Sequence, residues 1–388
     1  MLGGVFDGRR RRIMDRHGCD FTDASDELGL CSRVWASSTP FRVAPWRGFN
    51  LRRAVLAVFT AFGIFSLSAD DTMPSPEGQI WAARASDAGA VDSVTLAPDG
   101  RMLVSADSNG HAILWSVATG KRVKAQPARF HYVRSLAFSP DGRTLAAGGL
   151  SGSIELRRGE RREAKQVLRV HRAPVVALAY SPDGCGLAST SSDGMLVFWR
   201  VGPDYASTDV SRSESSIASI RFSPDGRCFA TSHMNGEVRM RSVGSPGRSS
   251  LVGCFPSIGS GLAFSPDGRT LAVSTMISSQ VVLWDLVECR VRKSLAVAAA
   301  GAGAVAYSPD GTALAVAGSD GTLHLWNVAA GHHYATIRGH RARALSIVFS
   351  RDGRTLVSGG NDHCIKLWDV ATLFSASDQR VAASHIDH

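Results

Sequence analysis

The sequence predicts an all-β chain built from seven small antiparallel sheets stacked around an axis. Two observations carry that prediction. A turn tetrapeptide recurs as APDG at 97–100, as SPDG at 139–142, 181–184, 223–226, 265–268 and 308–311, and as SRDG at 350–353, with spacings of 42, 42, 42, 42, 43 and 42 residues. Around the copies, short runs alternate between apolar and polar residues, the period of a half-buried strand. Self-similarity at a fixed interval marks a chain of stacked repeats.

Each repeat follows one plan. A first run leads into the turn, as in VRSLAFS (133–139) and LSIVFS (345–350). A second leaves it, as in RTLAAGG (143–149) and RTLVSGG (354–360). A third closes the unit, as in AILWSV (112–117) and IKLWDV (365–370). Proline at the first central position of the turn presets φ, and glycine supplies the positive φ that closes the hairpin. One such sheet alone would expose both faces to water. Neighbours stacked about an axis cover them.

Composition agrees with a large core. The 388 residues are 44% hydrophobic and 20% charged, which argues against general disorder. The net charge of +9 is carried largely by arginine, only five of the cations being lysine, and spread over this length it is a weak polyanion signal. The seven cysteines contain no CxxC pair, so neither a zinc knuckle nor a thioredoxin-like motif is expected, and free thiols are the structural reading.

The segment ahead of the repeats has its own character. Ala54 to Ala69 is an uncharged apolar run of sixteen residues, preceded by Arg47, Arg52 and Arg53 and followed by Asp70 and Asp71. As a helix it would reach about 24 Å, short of the roughly 30 Å hydrocarbon core. Residues 51–69 therefore read as a signal peptide or membrane anchor, and residues 1–50 as a poorly structured extension consistent with a misplaced start near Val43. Residues 70–78 form a linker, 79–370 the repeats and 371–388 a C-terminal tail. This leader implies export from a bacterial cytoplasm, to the periplasm or beyond, or anchoring by an N-terminal helix; a cytoplasmic chain is the alternative.

The period, the LWD and LWN strand ends and the GH at 339–340 resemble the WD-repeat family of β-propellers over about residues 79–370. The resemblance implies seven four-stranded blades. It also implies a supporting hydrogen-bond set: a His before the first strand, a Ser or Thr in the second, an Asp in the following turn and a Trp in the third. His171, Ser189, Asp193 and Trp199 match it, as do His340, Ser358, Asp362 and Trp368. The first repeat keeps Ser105 and Trp115 with Asn109 at the Asp place, the fifth keeps Ser274 and Trp284 with Ser278 for the Asp, and the sixth keeps Asp320 and Trp326 without the His. Repeats two and four have Arg157 and Arg241 where Trp is expected, so those blades should be less rigid.

Asp362, His363 and Cys364 stand side by side and invite a catalytic reading. Asp362 lies six residues before Trp368, as Asp193 and Asp320 lie before Trp199 and Trp326, and His363 stands where other repeats have glycine. The trio therefore reads as a turn. In the resembled family the outer strand of a blade precedes the next repeat, so Gln79 to Arg84 is expected to pair with the last blade and clasp the ring shut.

A propeller is a scaffold whose function lies on its surfaces. The resemblance places partner docking around the channel on the face of the His loops and Asp turns: His131, Tyr132, Arg172, Asn235, Arg341, Arg343, Asn361 and His363. A solvated rim without a single site is the bland alternative. Inner strands such as SLAFS and AVAYS are small and apolar, and no G-x-S-x-G, H-E-x-x-H or P-loop occurs. The basic segment 155–172 lacks the interleaved aromatics that single-stranded nucleic acid needs. The expectation is a non-enzymatic scaffold for other proteins or peptides, with no cofactor, no nucleic acid and no membrane contact beyond the N-terminal anchor. The alternative is an enzyme or ligand-binding propeller that uses its central channel for a metal or small molecule.

Overall fold

The computed structural model describes residues 77–85, 89–123, 133–158, 164–255, 259–276, 279–297 and 301–375. The first strand, β1 (Gln79–Arg84), stands apart from the sheet that follows it. Blade one holds β2 (Val91–Leu96), β3 (Met102–Asp107) and β4 (Ala112–Ser116), with a further bridge from Trp115 to Arg122 at its outer edge. Blade two is β5 (Val133–Phe138), β6 (Thr144–Gly149), β7 (Ser153–Arg158) and β8 (Ala164–Arg169). Blade three is β9 (Val175–Tyr180), β10 (Gly186–Ser191), β11 (Met195–Arg200) and β12 (Ala206–Arg212). Blade four is β13 (Ile217–Phe222), β14 (Cys228–His233), β15 (Glu237–Ser242) and β16 (Ser245–Cys254). Blade five is β17 (Gly259–Phe264), β18 (Thr270–Thr275), β19 (Gln280–Asp285) and β20 (Arg290–Ala296). Blade six is β21 (Ala302–Tyr307), β22 (Ala313–Gly318), β23 (Thr322–Asn327) and β24 (His333–Arg338). Blade seven is β25 (Ala344–Phe349), β26 (Thr355–Gly360) and β27 (Cys364–Asp369), completed by β1 in the order β1-β27-β26-β25.

The ring closes as the sequence predicts. β1 runs antiparallel to β27, with Gln79 opposite Trp368 and Arg84 opposite Cys364. The Trp81 indole donates to the Val117 carbonyl at 2.8 Å, which ties the clasp to blade one as well. Successive inner strands are neighbours from β2 through β5, β9, β13, β17, β21 and β25, and β25 returns to β2. The added strand covers the β27 edge, which would otherwise invite pairing with another chain.

The repeated turn owes its constancy to local chemistry. In blade two the Ser139 hydroxyl donates to Asp141 at 2.5 Å and accepts the Thr144 N–H at 2.9 Å, while Asp141 accepts the Arg143 N–H at 2.9 Å. The same contacts recur at Ser265, Ser308 and Ser350, whose hydroxyls hold Asp267, Asp310 and Asp352 below the ordinary carboxylate pKa. Gly142 has φ of 70°, and a side chain there would meet the ring of Pro98 from the preceding blade. The turns thus abut in a staggered circle on one face, here called the lower face.

The core is a set of seven wedges between adjacent blades rather than one central mass. Leu323, Ile347, Leu356 and Trp368 fill the wedge between blades six and seven, and Ile220, Phe198 and Phe229 that between three and four. The tail expected from residue 371 begins with helical residues 370–375, whose Leu373 is buried in the first of these wedges. Blades two and four keep four strands each despite Arg157 and Arg241. Among the described residues Cys228, Cys254 and Cys364 are free thiols, whereas Cys185 and Cys289 are disulfide-bonded, contrary to the expectation of free thiols throughout.

Candidate functional site

The upper face is organised by loops that enter the inner strands and by the turns that follow the second strands. Backbone bonds weld the two: Ser192 N–H to Pro174 O, Met234 N–H to Ser216 O, and Asn361 N–H to Arg343 O. In blade seven the supporting set is complete. The Trp368 indole donates to Ser358 Oγ at 3.0 Å, Ser358 lies 2.8 Å from His340 Nε2, and His340 Nδ1 lies 2.8 Å from Asp362 Oδ1. One direction satisfies every group: Trp N–H to Ser, Ser O–H to Nε2, and Nδ1–H to Asp. Burial opposes ionisation of Asp362, but the bond from His340 and the N–H groups of Arg341 and Cys364 hold its pKa below the usual value.

The Asp362, His363 and Cys364 trio is accordingly a turn. His363 takes φ of 65°, the region glycine takes in five of the other six repeats and Ser279 in blade five, and its carbonyl accepts the Ala85 N–H of the clasp at 2.8 Å. Burial, and then the Asp362 charge, raises the Cys364 pKa, the opposite of what a nucleophilic thiol needs.

Blade three departs from expectation at one bond. Trp199 and His171 both reach Ser189, at 2.9 and 2.7 Å, but Asp193 does not reach His171. Its carboxylate is captured by the Ser191 hydroxyl and the Met195 N–H instead. Blade seven has Gly360 at the place of Ser191, with no hydroxyl to compete. His171 Nδ1 is left buried without a partner, and burial, only partly opposed by Asp193, lowers its pKa to about 4.

Other blades substitute parts. In blade one the turn is built by Asp107, not Asn109: its carboxylate accepts the N–H groups of Asn109 at 3.0 Å and His111 at 2.8 Å. Trp115 keeps Ser105 at 2.9 Å. In blade five Trp284 pairs with Leu271 and Val281 with Ser274, so Val273 occupies the serine place and Ser274 sits one residue beyond it. Ser274 lies within reach of the Gly261 carbonyl, at 3.4 Å, rather than supporting the tryptophan as the sequence suggests. Ser278 lies outside the described residues. In blade six Asp320 holds its own turn through Thr322, while Val316 takes the serine place and the buried Trp326 N–H has no acceptor.

Blade four rebuilds the set from different residues. Ser213 stands where repeats three and seven have histidine, and the ring comes instead from His233 at the end of β14. His233 Nδ1 lies 3.0 Å from Ser213 Oγ and Nε2 lies 3.0 Å from Thr231 Oγ1. Burial, then the charges of Arg241 and Arg239, lower its pKa to about 4. Arg241, at the tryptophan place, is 4% exposed and donates to the Pro246 carbonyl at 3.0 Å, leaving its Nε buried without a partner.

The structure brings most of the expected rim residues onto this one face. Arg172, Asn235, Arg341 and Asn361 are exposed there. Asn235 also caps its own turn, accepting the Glu237 N–H at 3.2 Å. Arg343 is half-buried and reaches past blade six, its guanidinium 3.4 Å from the Met276 sulfur of blade five. His131 and Tyr132 lie outside the described residues.

Sequence reasoning read the inner strands as small and apolar and passed over Arg221. The fifth residue of each inner strand is Thr95, Ala137, Ala179, Arg221, Ala263, Ala306 or Val348. All but Ala263 keep surface open to solvent although they lie on the innermost strands, so they face the channel. Arg221 is exposed to solvent although it lies on the innermost strand, and the protein around it lowers its pKa. At the upper ends of the inner strands Asp92 and Arg134 add charge on adjacent blades; burial raises the Asp92 pKa and Arg134 lowers it. The signal available in the sequence was the break at the fifth place, arginine in one repeat where the other six have small or β-branched residues.

Among the described residues no group of three or more His, Cys, Asp or Glu side chains is placed to hold a metal, and no helix is long and apolar enough to cross a membrane. The apolar run at 54–69 lies outside the described residues. Residues 90–327 match the family described as the IFT122 first β-propeller, and residues 331–369 match the WD domain, G-beta repeat. A search of curated proteins returned no match.

Proposed function

Because the chain belongs to the family of the IFT122 first β-propeller, and so to the WD-repeat propellers, we propose that it is a non-enzymatic scaffold that docks other proteins or peptides on the upper rim of its channel. The observation that carries this reading is the division of labour on that face. The groups able to do chemistry there, His171, His340 and Asp362, are spent on the fold, while Arg172, Arg341, Asn235 and Asn361 project to solvent. Exposed arginine beside amide side chains suits acidic or polar peptide segments, which accept charge-assisted hydrogen bonds. Cofactor and nucleic acid have no part in this reading. Export, or anchoring through residues 51–69, belongs to the same proposal and rests on the basic start, apolar centre and small end of that segment.

Affinity capture from native-host extract tests it, with the full chain as bait and an Arg172→Ala, Arg341→Ala double variant as control. The expected result is a protein retained by the first and lost by the second. Capture that ignores both substitutions, or no capture, overturns rim docking.

A further inference from the structure

Arg221 is a solvent-exposed cation on the innermost strand of its blade, where every other fifth-place residue is uncharged. It sits on β13 at the channel-facing place, and among the described residues no acidic side chain pairs with it. Among the described residues its Nη1 donates to the carbonyl of its neighbour Ile220 at 2.8 Å. That bond uses one of five N–H donors. The edge formed by Nε and Nη2 is left to hold two oxygens of one anionic group, the bidentate geometry to which arginine is suited.

The surroundings favour an anion there. At the same level the other inner strands contribute only uncharged side chains, among them the Thr95 hydroxyl and the small Ala137, Ala179 and Ala306, which leave the space beside Arg221 open. Above this level stand Asp92 and Arg134, and at the mouth Arg343, whose Nε is buried without a partner. Arg221 thus sets up a positive field at a level where the described inner strands place no acidic side chain. Low-dielectric walls focus such a field along the channel. A phosphate group carries about −1.5 to −2 at neutral pH, so that field draws it more strongly than the single charge of a carboxylate.

We propose that the central channel is a binding site for a small phosphate-bearing ligand, anchored on the Nε–Nη2 edge of Arg221. The site is separate from rim docking and stands or falls without it.

Titration calorimetry on the full chain, in low-chloride buffer, tests the site with inorganic phosphate and with acetate. The expected result is saturable binding of one phosphate per chain, with acetate weaker. Arg221→Met keeps the aliphatic stem and removes the charge, and should weaken phosphate binding at least tenfold; Arg290→Ala, on the exposed outer strand β20, should leave it unchanged. Ala179→Leu keeps every charge but fills the same level of the channel, and should weaken binding as strongly, so the answer does not hang on one variant folding. No saturable heat, phosphate binding within twofold of the parent in both channel variants, or acetate bound as tightly as phosphate would each overturn the proposal.

Discussion

Blades four and seven share one backbone plan and fill it by opposite means. Blade seven buries the Trp368 indole completely and hands its polar atoms along a chain of Ser358, His340 and Asp362. Blade four places Arg241 at the same site, where a guanidinium with a buried, unpartnered Nε must be tolerated, and rebuilds the relay from Ser213, His233 and Thr231. The difference teaches that strand pairing and the lower-face turns suffice to form a blade, whereas the polar set decides how much each blade contributes. A buried hydrogen-bond chain with every group satisfied rigidifies its surroundings; one with an orphaned donor bears a desolvation cost.

The largest expected effect breaks blade seven. Trp368→Ala removes a fully buried side chain from the wedge that also holds Leu323, Leu356 and Leu373, and leaves Ser358 without its donor. Cavity formation of this kind costs about 3–5 kcal/mol. Arg241→Ala in blade four should cost less, under about 1.5 kcal/mol, because removing the guanidinium also removes a buried Nε donor that has no partner. Urea unfolding of the two variants, compared on the same chain, measures both; equal losses would deny the contrast between the blades.

The next effect comes from pH. His171 and His233 have folded pKa values of about 4, with burial the first cause in each, against an ordinary value near 6.5. Their folded pKa values are depressed, so the unfolded chain binds protons that the folded chain refuses. The neutral rings' contribution is whole above pH 6.5 and lost as pH falls towards 4, with no further loss from them below that. Each accounts for about 3 kcal/mol over that window. Stability measured by urea at pH 8, 6, 5 and 4 should fall steeply between 6.5 and 4. His233→Gln should remove roughly half of the fall assigned to the pair, since each ring contributes equally. A pH profile unchanged by that substitution would show that His233 is not held neutral.

Much of this architecture was legible because it is repeated. The turn tetrapeptide fixes its own geometry within six residues, so Ser139 to Thr144 behaves the same way wherever it recurs. The β1 clasp could be read because in the resembled family the outer strand of a blade precedes the next repeat, which leaves Gln79–Arg84 to the last blade. What was not legible lies in choices between near-equal partners. Asp193 prefers the adjacent Ser191 hydroxyl to a histidine on the neighbouring loop, and a motif match cannot weigh those two bonds. Ser274 fails as the tryptophan's acceptor by a single residue, and a shift of one turns a strand side chain to the other face. Arg221 was missed for a different reason: alternation assigns faces to a strand but does not say that one edge borders a water-filled channel.

Ser191 offers the finest test of how blades three and seven differ. Ser191→Ala deletes the hydroxyl that holds Asp193 while keeping Cβ, so it avoids the entropic cost that glycine would bring. The carboxylate is then free to turn to His171 Nδ1, as Asp362 meets His340, and to satisfy the donor that is now buried without a partner. Two observables should follow. Stability at pH 7 should rise by about 0.5–1.5 kcal/mol, the worth of one recovered hydrogen bond. The His171 pKa should climb from about 4, because a carboxylate in contact favours the charged ring. Raising a depressed folded pKa towards its unfolded value shrinks the acid loss, so the variant should also resist falling pH better than the parent. Proton NMR titration of the His171 ring against urea unfolding separates the possibilities. A higher pKa with greater stability would mean that one hydroxyl accounts for the difference between the two blades. An unmoved pKa would mean that the loop carrying His171 holds the ring out of Asp193's reach whatever Ser191 does.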